Sequence, residues 1–197
     1  MSRLAIFTIL VVTLFASCKS GGVSLVPQIT SSDETAEAGK IVAEANQELT
    51  EIKVLYQQNE SKREELRNAM EKDDAAAVKR IANEVVDLIN SGTAHGQTAI
   101  DKIQTAREMQ INDDYAEYLR LKQESLRLEL EAFENYRQAA RTLRDNYDPK
   151  NTAQRNKVKQ EFTKLTDNYR MTMEKARSRS REANEVAKAA LNKQNQQ

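Results

Sequence analysis

Residues 73–146 read DDAAAVKRIANEVVDLINSGTAHGQTAIDKIQTAREMQINDDYAEYLRLKQESLRLELEAFENYRQAARTLRDN. No proline interrupts this stretch, and its apolar positions hold one phase. Val78, Ile81/Ala82, Val85, Leu88/Ile89, Ala99/Ile100, Ile103 and Ala106 lead into Tyr115, Tyr118/Leu119, Leu126, Leu130, Phe133, Tyr136, Ala140 and Leu143. Steps of three and four put these side chains on one stripe of a helix. The rest of the chain is then expected to cover that stripe.

Within the stretch, Ser91-Gly92-Thr93 and Gly96 have the composition of a loop. Positions 88/89, 92, 95/96 and 99 nevertheless keep the spacing, so a continuous helix is expected, weak or kinked at this point. Each glycine costs a helix about 1 kcal/mol against alanine. In exchange, both would lie on the buried face and let a neighbouring helix come close. Asn112-Asp113-Asp114 is an ambiguous break, because the phase carries from Ile111 to Tyr115.

Before the stretch, Ser32-Asp33-Glu34 offers an N-cap at Ser32 followed by acids at the positive helix end. A first helix is expected to carry Ala38, Ile41/Val42, Ala45, Leu49, Ile52, Leu55/Tyr56, Leu66 and Ala69/Met70. Asn59, Lys62 and Arg63 fall where apolar residues are expected, so its middle should pack less well or let long side chains snorkel. Asp73-Asp74 ends it and starts the second helix. After the stretch, Asp148-Pro149 is the clearest punctuation, with Asp as cap and Pro at the first helical position. The last helix carries Val158, Phe162, Leu165, Tyr169, Met173, Ala176, Ala183, Val186/Ala187 and Leu191.

Breaks near 73, 112 and 148 divide the chain into segments of about 35–45 residues, each roughly 50–65 Å long as helix. Matched lengths and short connections favour an all-α, antiparallel up-down-up-down four-helix bundle. The alternative is an extended coiled-coil rod in which residues 74–146 form one central helix of about 110 Å. The expected organisation is a signal peptide at 1–17, a tether at 18–31, the helical domain at 32–193 and a disordered polar tail at 194–197.

Composition supports long amphipathic helices: charged residues make up 30%, with only five Gly and two Pro. Lys plus Arg equal Asp plus Glu at 30 each, so no general attraction to nucleic acid or an anionic membrane follows. With no Trp, a deep aromatic-lined pocket is not expected.

The N-terminus reads as an address. Arg3 precedes an apolar run from Leu4 to Phe15, too short to span a bilayer and suited to a secretory signal. The run ends Phe15-Ala16-Ser17-Cys18, followed by Lys19-Ser20-Gly21-Gly22. These residues resemble the lipobox of bacterial lipoproteins, with Phe15 in place of the preferred Leu. The resemblance covers the first eighteen residues. It implies cleavage before Cys18, a diacylglycerol on its thiol and acylation of its amine. With Lys19 where a retention signal would place Asp, it implies anchoring at the outer membrane facing the periplasm. Cys18 is the single cysteine, which rules out an intrachain disulfide. The tether, with Gly21, Gly22 and Pro27, has a reach on the order of 20 Å.

Chemical motifs are sparse. His95 is the only histidine, and Ser91, Gly92, Thr98 and Ala99 are its helical neighbours, so the Glu-x-x-His pattern of di-iron bundles is missing. No phosphate loop, Gly-x-Ser-x-Gly elbow or His-Glu-x-x-His occurs. Neither catalytic residues, a metal site nor a cofactor is expected. The acids, such as those of 124–134 beside Arg127 and Arg137, read as solvated faces with local pairing. Arg170, Arg177 and Arg181 form a candidate anion or partner patch, unless Arg181 pairs with Asp113, Asp114 and Glu117 across a hairpin. Tyr115, Tyr118 and Tyr136 form a candidate partner surface, or else a seam with a wet edge. The expected function is a membrane-anchored module for interaction with another envelope protein, with homo-oligomers through helical surfaces left open. A sensory or carrier bundle holding a small ligand is the alternative. In architecture alone that alternative resembles the four-helix sensor domains of bacterial chemoreceptors.

Overall fold

The computed structural model describes residues 34–194. The expected signal peptide, Cys18, the tether, Ser32 and residues 195–197 of the expected tail lie outside the described residues, and Gln194, expected in that tail, ends the last helix. Four helices follow in order: α1 Thr35–Glu71, α2 Ala75–Arg107, α3 Asp113–Asn146 and α4 Thr152–Gln194. They pack into a four-helix bundle with short connections.

Cross-helix bonds give the directions. Glu44–Lys102 and Lys62–Glu84 bind α1 to α2 in descending register, so the two run antiparallel. Arg107 Nη1 donates to Gln123 at 2.5 Å and Arg137 donates to Asn90 at 2.9 Å, which sets α2 against α3 in the same sense. Ser125 Oγ donates to the Ala176 carbonyl at 2.9 Å, and Tyr136 faces Tyr169, so α3 and α4 are also antiparallel. The rod with one central helix is excluded, because the chain reverses between Arg107 and Asp113.

Local chemistry explains each reversal. Asp74 accepts the Ala77 N–H at 3.0 Å and caps α2. Before it, Asp73 takes φ 52°, a left-handed turn that Asp tolerates better than most residues. Asn112 accepts the Tyr115 N–H at 2.9 Å and caps α3, which turns the ambiguous break into a real one. At the last reversal the sequence expectation needs correction. Asp148 does not cap α4; it accepts the Lys150 N–H at 2.9 Å within the turn. Asn151 does the capping, accepting the Gln154 N–H at 3.1 Å. The turn thus consumes Asp148-Pro149-Lys150 before the helix begins.

The continuous helix through Ser91–Gly96 is present in α2, and both glycines are buried. A side chain at Gly96 would collide with Leu130, so α2 and α3 touch there through the missing Cβ. The main core runs through all four helices and includes Val42, Ile103, Leu119, Phe133 and Met173. A smaller cluster of Leu66, Val78, Ile81, Leu143 and Val158 closes the end near Asp73.

The four seams are not equal. α1 packs closely on α2, α2 on α3 and α3 on α4, whereas α1 and α4 hardly approach each other through their backbones. Side chains of α1 reach over the gap to α3 and α4. Arg63 of α1 lies 5.4 Å from the ring centres of both Tyr136 and Tyr169 and pairs with Glu60 at 2.6 Å. Tyr56 faces Phe133 at 6.4 Å. The polar middle of α1 therefore reaches over aromatic rings, and Asn59 stays on the buried stripe at 3% exposure.

Candidate functional site: a cleft between α1, α3 and α4

Where α1 and α4 stand apart, a cleft of about 170 Å³ opens. Leu49, Ile52 and Tyr56 of α1 form one wall, each one helical turn from the next. Tyr118, Lys122, Ser125, Leu126 and Glu129 of α3 follow the same logic on the floor. Ser180, Ala183 and Asn184 of α4 form the far rim, and Lys53 of α1 sits beside the opening.

The polar groups differ in how far they are committed. Ser125 is tied to the Ala176 carbonyl. Lys122 donates to Asn46 at 2.9 Å and stands 5.7 Å from the Tyr118 ring centre. Glu129 is half-buried and, among the described residues, makes no hydrogen bond and no ion pair. Burial pushes its carboxyl up to about 7, with Arg177 pulling it back down. Three other acids of α3 are paired along the helix: Glu117 and Glu124 bind Arg120, and Glu134 binds Arg137. Glu129 thus departs from the reading of 124–134 as a solvated, locally paired face, and Glu124 takes Arg120 rather than Arg127.

The candidate patch of Arg170, Arg177 and Arg181 is mostly neutralised along its own helix. Arg170 pairs with Asp167 at 2.9 Å and Arg177 with Glu174 at 2.7 Å. Arg181 is exposed and has no ion pair among the described residues. The expected pairing of Arg181 with Asp113, Asp114 and Glu117 does not form. The long turn before Thr152 shifts the register, so Lys193 meets Asp114 at 2.9 Å and Arg179 meets Glu124 at 3.5 Å.

The candidate partner surface of Tyr115, Tyr118 and Tyr136 is also corrected. Tyr136 is 1% exposed and Tyr115 7%, both within the core, which removes them from any outward face. Their rings supply apolar bulk that no Trp in this chain provides. Tyr118 alone of the three reaches the cleft, stacked on Tyr115 at 5.9 Å.

His95 has a partner that local spacing could not reveal. Its Nδ1 lies 2.7 Å from Glu48 Oε2 of α1, in a half-buried pair on the α1–α2 seam. Among the described residues no group of three or more His, Cys, Asp or Glu side chains is placed to hold a metal ion. No described helix is long and apolar enough to cross a membrane. No protein-family model matches the chain, and no curated protein or solved structure matches it either.

Proposed function

We propose that this chain is a lipid-tethered protein of the bacterial envelope whose helical bundle binds a small ligand rather than transforming one. The observation that carries the binding reading is the cleft at the one seam where backbones stand apart, with the unpaired Glu129 on its floor. A volume of about 170 Å³ is smaller than the usual drug-sized pocket and suits a molecule of about benzene's size or a single inserted side chain. Ser125, a hydroxyl on the cleft floor, is engaged with a backbone carbonyl, which favours binding over nucleophilic chemistry. The tether rests on the apolar run to Phe15 and on Ala16-Ser17-Cys18. Two acyl chains hold a protein on a bilayer stably, at about 0.8 kcal/mol per buried methylene. In this reading the bundle sits at the periplasmic face of the outer membrane.

A second reading, a docking module for another envelope protein, draws on Arg181, exposed and without an ion pair among the described residues. Two measurements separate the readings. A low-molecular-weight extract of the host should raise the melting temperature of the full chain if the cleft takes a small ligand. A photo-crosslinker at Ser180 or Asn184, in whole cells, should give a discrete protein adduct if a partner inserts instead. Silence in both experiments sinks the binding module. Retention of a Cys18→Ser variant in the membrane fraction would sink the tether.

A further inference from the structure

We propose that the cleft binds a small neutral polyol, no larger than one sugar ring, whose hydroxyls donate to Glu129 and Ser125. This rests on the small-ligand reading above and names the chemistry of the ligand. Three features of the cleft converge on it.

The first is a pair of acceptors on the floor. Glu129 is a half-buried carboxyl without a hydrogen bond or ion pair among the described residues. As a carboxylate it only accepts. Ser125 has given its one proton to the Ala176 carbonyl, which leaves the lone pairs of its oxygen. Both side chains line the cleft, four residues apart on α3, so they share a face at about 6 Å along the axis. Two acceptors one turn apart call for a ligand that brings at least two donors. Ala176 precedes Ser180 by one turn of α4, so the bond from Ser125 brings Ser180 beside it. The exposed Ser180 hydroxyl makes no hydrogen bond among the described residues and can complete the set.

The second is charge. The bases around the cleft are already engaged. Lys122 donates to Asn46 at 2.9 Å and to Tyr118 at 3.4 Å, Arg177 pairs with Glu174 at 2.7 Å, and Lys53 has a partner of its own. An anion therefore finds no uncommitted base among the described lining residues, and it meets Glu129. A cation fits no better. Lys122 lies level with Asn46 of α1, and Phe133 with Tyr56, which places Lys53 at about the level of Glu129. Arg177 acts on the same carboxyl from α4. A neutral molecule with hydroxyl donors meets neither repulsion.

The third is size and lining. A cavity of about 150 Å³ takes benzene. The cleft, at about 170 Å³, admits a short polyol or a single six-membered sugar ring whose remaining hydroxyls face the open rim. A nucleotide or a peptide is too large. Ile52, Tyr56 and Leu126 offer apolar surface to the C–H face of such a molecule.

The test is thermal unfolding of the full chain with glycerol, erythritol and the common neutral pentoses and hexoses, and with n-butylammonium and butyrate as charged probes. All are used at low millimolar concentration, below the range in which sugars stabilise proteins by exclusion from their surface. Whatever shifts the melt is then titrated by calorimetry. At least one polyol or monosaccharide should raise the melting temperature and bind saturably, and neither charged probe should match it. Glu129→Gln should weaken that ligand roughly tenfold, the difference between a charged and a neutral acceptor. Ser180→Phe, which plugs the cleft from its exposed rim, should abolish binding while the helical signal is retained. The proposal is overturned if no polyol or monosaccharide shifts melting, or if butylammonium or butyrate does as well. It is equally overturned if Glu129→Gln binds like the parent, or if folded Ser180→Phe still binds. A melting shift by host extract without a shift by any polyol or monosaccharide would leave the small-ligand reading standing and remove the polyol.

Discussion

Tyr147 donates its hydroxyl to Asp73 Oδ1 at 2.7 Å, joining the end of α3 to the left-handed residue that turns α1 into α2. Arg155 of α4 binds the other oxygen at 2.8 Å, so one carboxylate in the α1–α2 turn gathers the ends of all four helices. Tyr147's hydrogen bond, then Arg155 and Lys159, hold the Asp73 carboxyl below its ordinary 3.8. A carboxyl depressed by folding adds stability above its unfolded pKa, and that stability is lost as pH falls through the folded value. Asp73→Asn should therefore be less stable than the parent at pH 7, and the gap should close below pH 4. Urea unfolding of both chains across that range measures it; a gap independent of pH would refute the linkage.

The tyrosines govern the alkaline side. Burial pushes Tyr115 up to about 12, and burial together with Asp73 does the same for Tyr147. Burial also raises Tyr56, Tyr136 and Tyr169. A phenol raised by folding stabilises the native state below its unfolded pKa of 10, and the contribution fades as pH rises toward the folded value. Stability should thus decline from pH 10 upward. Phenolate absorbance should show most tyrosines ionising only as helix is lost; early titration of all six before unfolding would contradict this.

Arg63 of α1 reaches the ring faces of Tyr136 on α3 and Tyr169 on α4, where α1 and α4 have little backbone packing of their own. A cation on an aromatic face contributes about 0.5–2 kcal/mol. Arg63→Ala should cost about 1–3 kcal/mol, since the aliphatic stem is lost as well. Arg63→Lys should recover part of this, because the charge returns without the planar stacking group. Chemical denaturation of the two variants gives the ordering.

The two helical glycines should answer the same substitution differently. A methyl group at Gly92 would meet only Leu55 Cδ1 at 3.9 Å, an ordinary contact. Gly92→Ala should gain up to about 1 kcal/mol of helix propensity. At Gly96 the methyl would fall on Leu130 and force it aside. Overpacking costs about 1–3 kcal/mol, so Gly96→Ala should end below Gly92→Ala and at or below the parent. Thermal melts of the pair decide it, and equal gains at both sites would refute the close approach.

These glycines also show how far the sequence carries. Their place on the buried stripe was legible from spacing, because residues 88–99 keep a helical period that a loop would not. The helix start at Asp73-Asp74 was legible for the same local reason, whereas Asn112-Asp113-Asp114 read only as an ambiguous break until Asn112 proved to be a cap. Pairings between distant helices were not. Glu48 reaches His95, and Lys193 rather than Arg181 meets Asp114, because turn length and helix register decide those partners. Asn151 outcompeted Asp148 as the cap of α4, and that change slid the whole α3–α4 register. Glu129 left a faint signal: it falls three residues after Leu126 and four before Phe133, on the stripe itself, while other glutamates of its run do not.

Glu129 also carries a cost to the fold that can be measured without any ligand. Its carboxyl is pushed by burial up to about 7 from an ordinary 4.5. Between those values the unfolded chain has released a proton that the folded chain keeps, so native stability should fall as pH rises from 4.5 to 7 and level off above. Glu129→Gln is neutral in both states and lacks this slope. It should match the parent near pH 4 and exceed it at pH 8, by about 1–3 kcal/mol. The substitution would then strengthen the fold while removing the cleft's unpaired carboxyl. That opposition is the signature of a group kept for its ligand rather than for structure. Urea unfolding of both chains at pH 4, 6 and 8 gives the slopes, and parallel curves would mean that Glu129 is solvated and ionised throughout.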